Sequence, residues 1–251
     1  MITRAQIEKL GALHGVEPTM ISLYLAVPSP TDPAALTARA GELITAAEAT
    51  CGRPLATQDE NWVLEKLPPY ARDCPGRTVA VFACAGSGLL EAIPLPCPLP
   101  EYGVLGVRPH IRPLLLVRQR CSVPDPASPD VAWGSELPAR RTAAPFLAMP
   151  PGGRPVIGLL ACLAAVSAGP VQTLVVPADG LVAGYECGRC GTLSLDADTC
   201  CPDWGTAALP VPDVIEEMVS RVLEDGGDVL VADALAAAGP ALHATVGGVP
   251  A

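Results

Sequence analysis

Apolar positions in this chain come as short runs and helical repeats, with prolines between them. Residues 21–27 (I-S-L-Y-L-A-V) read as a strand, stopped by Pro28 and Pro30. Thr31 or Asp32 can then cap a helix with Pro33 in its first turn. Leu36, Ala40, Leu43, Ile44 and Ala47 follow at helical spacing, and a second helix is predicted over Thr57–Lys66. Arg77–Cys84 (R-T-V-A-V-F-A-C) is a strand, Ala85, Gly86, Ser87 and Gly88 supply a turn, and residues 89–93 return as its hairpin partner. Residues 102–107 are a further strand candidate. Beyond a proline-rich stretch, residues 156–167 read as a buried helix and 171–176 (V-Q-T-L-V-V) as a strand. Residues 181–185 lead into a cysteine-bearing segment. Asp213 and Glu216 have the spacing of a capping box. Val214, Ile215, Met218, Val219, Val222 and Leu223 line one face of the helix that follows, and Gly226-Gly227 stops it. Residues 228–232 close the pattern as a strand.

The fold class expected is α/β: two small α/β sandwich domains joined by a Pro-rich linker. The N-terminal domain takes residues 1–120. The linker takes 121–155, where eight prolines fall between 124 and 155 with little periodicity. The second domain takes 156–251 and carries a cysteine insert, like a zinc ribbon, at 184–205.

Composition changes this picture in two ways. Half of the 251 residues are hydrophobic but only 4% are aromatic, so the core must be built from Ala, Val, Leu and Ile. The net charge of -10 is also unevenly placed. Residues 1–120 carry 11 basic and 11 acidic side chains, whereas 151–251 carry 3 and 12. Phosphate would be repelled by that acidic part, which suits a basic protein partner or a plain solvated surface. Residues 1–20 hold Arg4, Glu8, Lys9 and Glu17 and show no secretory leader, and the longest apolar stretch, 156–166, is too short to span a bilayer. The expected location is cytoplasmic, with reduced cysteines. Cys84 and Cys162 read as buried apolar residues; Cys51, Cys74, Cys97 and Cys121 lack metal spacing.

Cys187-Gly188-Arg189-Cys190-Gly191 has the form of a zinc knuckle, two thiolates three positions apart with a glycine for the turn. Its partner half reads Cys201-Pro202-Asp203-Trp204-Gly205, with Trp204 where a last thiol would stand. Cys200 is a candidate fourth sulfur, and Asp203 or Asp198 a candidate oxygen ligand. Two readings stay open: a structural zinc held by Cys187, Cys190, Cys200 and Cys201, or a ribbon without metal.

The motifs V-S-A-G-P-V-Q-T-L-V-V (166–176), G-Y-E-C-G-R-C-G (184–191), C-P-D-W-G (201–205), V-P-D-V-I-E-E-M (211–218) and E-D-G-G (224–227) occur in this order. Together they resemble the C-terminal domain of the archaeal and eukaryotic type of peptide chain release factor. The likeness is in particular to the bacterial, peptidyl-tRNA hydrolase-like branch of that superfamily. I-S-L-Y-L (21–25), T-V-A-V-F-A-C (78–84) and R-P-L-L-L-V (112–117) are similar to the N-terminal part of the same branch. The resemblance covers roughly 1–120 and 155–235. It implies three domains, the middle one bearing a Gly-Gly-Gln hydrolytic loop in the release factors themselves. Here the gap is too short for that domain. Gly152-Gly153-Arg154 lies in the gap with Arg in place of the glutamine, so these residues are a weak catalytic candidate beside the ordinary reading of a turn. Residues 241–251 lack the apolar closing strand that the resemblance implies.

Other candidate chemistry is sparse. His14, His110 and His243 belong to no triad or metal motif and read as solvated or core histidines. Arg108, Arg112, Arg118 and Arg120 cluster at the end of the first domain, as RNA-phosphate contacts or as a solvated face. Glu216 and Glu217 are adjacent carboxylates, the first explained by capping. Asp225-Gly226-Gly227-Asp228 reads as a helix stop. The function expected is a ribosome- or translation-associated binding protein related to release factors, without hydrolytic activity. The alternatives are a peptidyl-tRNA hydrolase and a stress-related scaffold with no ribosome contact.

Overall fold

The computed structural model describes residues 2–15, 17, 19–122, 154–196, 208–232 and 243–246. It shows a mixed α/β protein built on three sheets. Helix α1 (Arg4–Gly11) opens the chain with a capping box between Thr3 and Gln6. Strand β1 (Met20–Val27) follows, then α2 (Pro33–Cys51), α3 (Thr57–Lys66), the single turn α4 (Tyr70–Asp73) and β2 (Arg77–Cys84). A tight 3₁₀ turn leads into β3 (Leu89–Leu95), then come β4 (Tyr102–Gly106) and α5 (Arg112–Ser122). The Asp32 carboxylate, not Thr31, caps α2 by accepting the Ala34 N–H at 3.2 Å.

The first sheet has the order β3-β2-β1-β4, and its pairings are all antiparallel. It is covered on both faces, which is why β1 reads as a nearly unbroken apolar run. Ile21, Leu23, Leu25 and Val27 point to one face, with Leu36, Ala40, Ile44 and Ala47 of α2 and Val63 of α3. Met20 and Tyr24 point to the other, with Ile7 and Leu10 of α1 and Ile111, Leu114 and Val117 at α5.

That second cluster does not stop at residue 120. It continues without a break through Cys162, Leu174, Val214, Met218, Val222 and Val231. These belong to α6 (Leu159–Ala168), β6 (Val171–Pro177), α7 (Val214–Glu224) and β10 (Asp228–Ala232); β5 (Arg154–Ile157) precedes α6. The second sheet has the order β10-β6-β11-β5, where β11 is His243–Val246. Between β6 and α7 the chain makes a small third sheet from β7 (Gly184–Cys187), β8 (Leu193–Ser194) and β9 (Ala208–Val211), in the order β8-β7-β9.

Four expectations are corrected. Residues 156–167 are not one helix: β5 comes first, and Gly158, at φ 97, turns the chain into α6. Both ends of the expected linker are structured, since residues 121–122 close α5 and 154–155 open β5. A strand does occur near the chain end: β11 pairs with β6 on one side and β5 on the other. Glu216 is not the return half of a capping box. Asp213 caps α7 through the Ile215 N–H at 3.1 Å, while the Glu216 carboxylate accepts the backbone N–H groups of Ile111 and Arg112. No helix among the described residues is long and apolar enough to cross a membrane.

Candidate functional site

The segment between β4 and α5 reads R-P-H-I-R-P, placing Arg108, His110 and Arg112 two residues apart. The start of α7 offers Asp213, Glu216 and Glu217, with Glu224 at its end. These two stretches, about a hundred residues apart in sequence, close on each other as a buried polar seam. Arg112, Asp213, His110 and Glu216 are all 1–3% exposed.

Asp213 is the hub. Its Oδ1 accepts the N–H groups of Ile215 and Val182, each at 3.1 Å. Its Oδ2 accepts Arg112 Nη2 at 2.6 Å and His110 Nε2 at 2.9 Å. Burial pushes this carboxyl up, but the His110 hydrogen bond and the Arg112 guanidinium outweigh burial and hold it below the usual range. Arg112 also donates to the carbonyls of Pro177 at 3.2 Å and Gly180 at 2.8 Å, tying the loop after β6 to the seam. Glu216 has the opposite balance. Burial dominates over His110 and Arg112 and raises its pKa. Its Oε1 takes the two backbone N–H groups, while Oε2 is buried without a hydrogen bond, 3.3 Å from His110 Nε2 and 3.7 Å from Arg112 Nε.

His110 is committed on every side. An ionised Asp213 can only accept, so Nε2 carries a proton toward it, while Nδ1 is hydrogen-bonded with the Tyr102 hydroxyl at 2.7 Å. Burial keeps both Tyr102 and Tyr24 well above the usual tyrosine range, so both hydroxyls keep their protons. Tyr24 donates to the His110 carbonyl at 2.7 Å, and the His110 N–H donates to Ser22 Oγ at 2.9 Å. A histidine beside a carboxylate has the composition of a general base and its orienting acid. Here no ring nitrogen is left to receive a substrate proton. His110, Asp213 and Glu216 also have the donor set for a metal. The Arg112 guanidinium already stands among them as the cation.

A second network adjoins the first. Arg108 Nε bonds Glu217 at 2.9 Å, and its Nη1 bonds Glu224 at 2.5 Å and the Gly11 carbonyl at 3.1 Å. Arg221 Nη2 bonds Glu186 Oε1 at 2.8 Å, and His14 Nε2 lies 3.8 Å from Glu186 Oε2. Burial, with Glu186 nearby, raises Glu217 to about 7 in spite of Arg108.

The predicted site residues are distributed differently from expectation. Arg108 and Arg112 form no surface for RNA phosphate: they are buried and neutralised by α7 carboxylates, because one guanidinium matches paired acceptors better than any other cation. Arg118 and Arg120 are half-buried on α5. His110 is a core histidine, His14 is exposed, and His243 lies in β11. Arg154 opens β5 and pairs with Val246 in the ladder; Gly152 and Gly153 lie outside the described residues. Of the cysteines, Cys187 ends β7 and is buried, and Cys190 is exposed on the following turn. That turn has the knuckle form: the Gly191 N–H bonds the Cys187 carbonyl at 2.8 Å, and Gly191 takes φ 73. The described half therefore shows the backbone turn of a knuckle, with the Cys190 Sγ 3.2 Å from Thr192 Oγ1. Cys200, Cys201, Asp198, Asp203 and Trp204 lie outside the described residues.

The sequence pattern does not single out Tyr24, Tyr102 or the pairing of Arg108 and Arg112 with α7. The one available signal was the alternation of basic residues in R-P-H-I-R-P against the acidic start of a helix. No family model matches the chain, and no curated protein matches it.

Proposed function

We propose that the protein is a translation-associated binding protein of the release-factor type, working through its surfaces and without peptidyl-tRNA hydrolysis. The observation that supports this reading best is the state of His110. Both ring nitrogens are engaged by Tyr102 and Asp213, so the constellation with catalytic composition joins β4–α5 to α7 instead of facing a substrate. The ordered motifs from residue 166 to 227 point to the same superfamily. A structural zinc at Cys187 and Cys190, completed by Cys200 and Cys201, would stiffen the ribbon, since a closed four-ligand site leaves no position for chemistry. The partner is a ribosome or a translation factor. Contact with RNA falls to Arg118 and Arg120, and contact with basic protein to the acidic residues of the second half.

Co-sedimentation with ribosomes at several salt concentrations tests this reading. Binding at low salt that weakens as salt rises is expected. Absence from every ribosomal fraction at low salt would favour a scaffold with no ribosome contact. On stalled ribosomes no hydrolysis of peptidyl-tRNA is expected. Turnover that disappears on changing Gly153 or Arg154 would make the protein a hydrolase.

A further inference from the structure

The second network is a row of charges whose sign alternates except at its centre. From one end it runs Glu224, Arg108, Glu217; from the other, Arg221, Glu186. The two inner members are both carboxylates, and they face each other across His14. One donor atom from each of His14, Glu186 and Glu217 lies within 4.8 Å of the other two.

We propose that His14, Glu186 and Glu217 form a binding site for a divalent first-row metal ion. Three features of the geometry carry this. The residues come from three separate elements, the loop after α1, β7 and α7, so their approach is set by the fold and not by local sequence. Each carboxylate has one oxygen already held by a guanidinium, Glu186 Oε1 by Arg221 and Glu217 Oε2 by Arg108, as outer partners orient ligating carboxylates in metal sites. Atoms sharing one ion at about 2.1 Å stand roughly 3–4 Å apart, and His14 Nε2 and Glu186 Oε2 are at 3.8 Å. The His14 side chain is 43% exposed, which leaves a way in from solvent. One imidazole and two carboxylates suit manganese or zinc, whereas the nearby thiols of Cys187 and Cys190 select zinc over manganese.

Manganese is therefore the discriminating probe. The full chain is stripped with chelator and titrated with Mn²⁺ while free ion is followed by electron paramagnetic resonance. One saturable site per chain is expected. His14→Ala is expected to weaken it at least tenfold, and Glu217→Gln to a similar extent. Cys190→Ser is expected to leave it unchanged. His14 is exposed, so His14→Ala tests the site even where Glu217→Gln perturbs folding. Three results would overturn the proposal: no saturable binding, undiminished binding in His14→Ala, or loss of binding in Cys190→Ser.

Discussion

At the residue scale, Glu217 shows how a buried carboxyl makes stability depend on pH. Its side chain is only 4% exposed, and burial outweighs the Arg108 guanidinium at 2.9 Å. A carboxyl raised from 4.5 to about 7 is protonated in the folded chain over a range where the unfolded chain has already ionised it. Its contribution is thus complete below the lower value and is lost as pH rises through the upper one. The loss is on the order of 3 kcal/mol. Glutamine cannot ionise, yet it keeps an acceptor for Arg108. In chelator-treated protein, urea midpoints at pH 5 and pH 8 should show Glu217→Gln gaining on the wild type as pH rises. A difference that is the same at both values would remove this account. Asp213 behaves in the opposite sense, because its pKa is lowered. Its stabilisation is present above the usual aspartate range and fades only in acid.

At the scale of elements, Gln119 makes a contact that shape alone would not suggest. From α5 its Nε2 donates to the Val229 carbonyl at 3.1 Å, and its Oε1 accepts the Val231 N–H at 3.1 Å. The side-chain amide thus stands in for a peptide of a neighbouring strand and occupies the open edge of β10, which is the last strand of its sheet. Gln119→Ala should cost about 1 kcal/mol and accelerate hydrogen exchange at the Val231 amide more than at β6 amides. Equal exchange at Val231 in both proteins would show that the edge is protected by something else. The elements themselves were unequally legible. The strands β1 and β2 and the helices α2, α3 and α7 follow from period and caps. Helix α5 does not: Leu114, Leu115, Leu116 and Val117 are all buried in an unbroken run, so its first half shows no helical period. Helix α1 has too few apolar positions to stand out, although Thr3 and Gln6 spell its cap. The break at Gly158 leaves no mark in the apolar pattern, because the residues on both sides of it are apolar. Most of the seam was illegible for a different reason. Its partners are 101–116 positions apart, and a single sequence carries no sign of which arginine meets which carboxylate.

At the scale of the molecule, the seam and the apolar cluster around it have a joint consequence. A cluster reaching from Ile7 to Val231 and a fully buried Arg112 couple the first sheet to the second. Buried ion pairs contribute little net stability, because desolvation offsets their attraction, but removing one partner strands the other charge. Arg112 is the sharpest place to test this, since it holds Asp213 and the carbonyls of Pro177 and Gly180 at once. Arg112→Met keeps most of the volume and removes all three bonds, at a cost of about 3–5 kcal/mol. If the sheets unfold together, calorimetry of the wild type should give one transition whose calorimetric and van't Hoff enthalpies agree. The variant should then keep that single transition, displaced downward by roughly 10 °C. Arg112→Lys should not restore it, because one ammonium cannot span a carboxylate and two carbonyls in the guanidinium's plane. Two separate transitions, with only the later half of the chain shifted by the substitution, would show that the seam joins two units that fold independently.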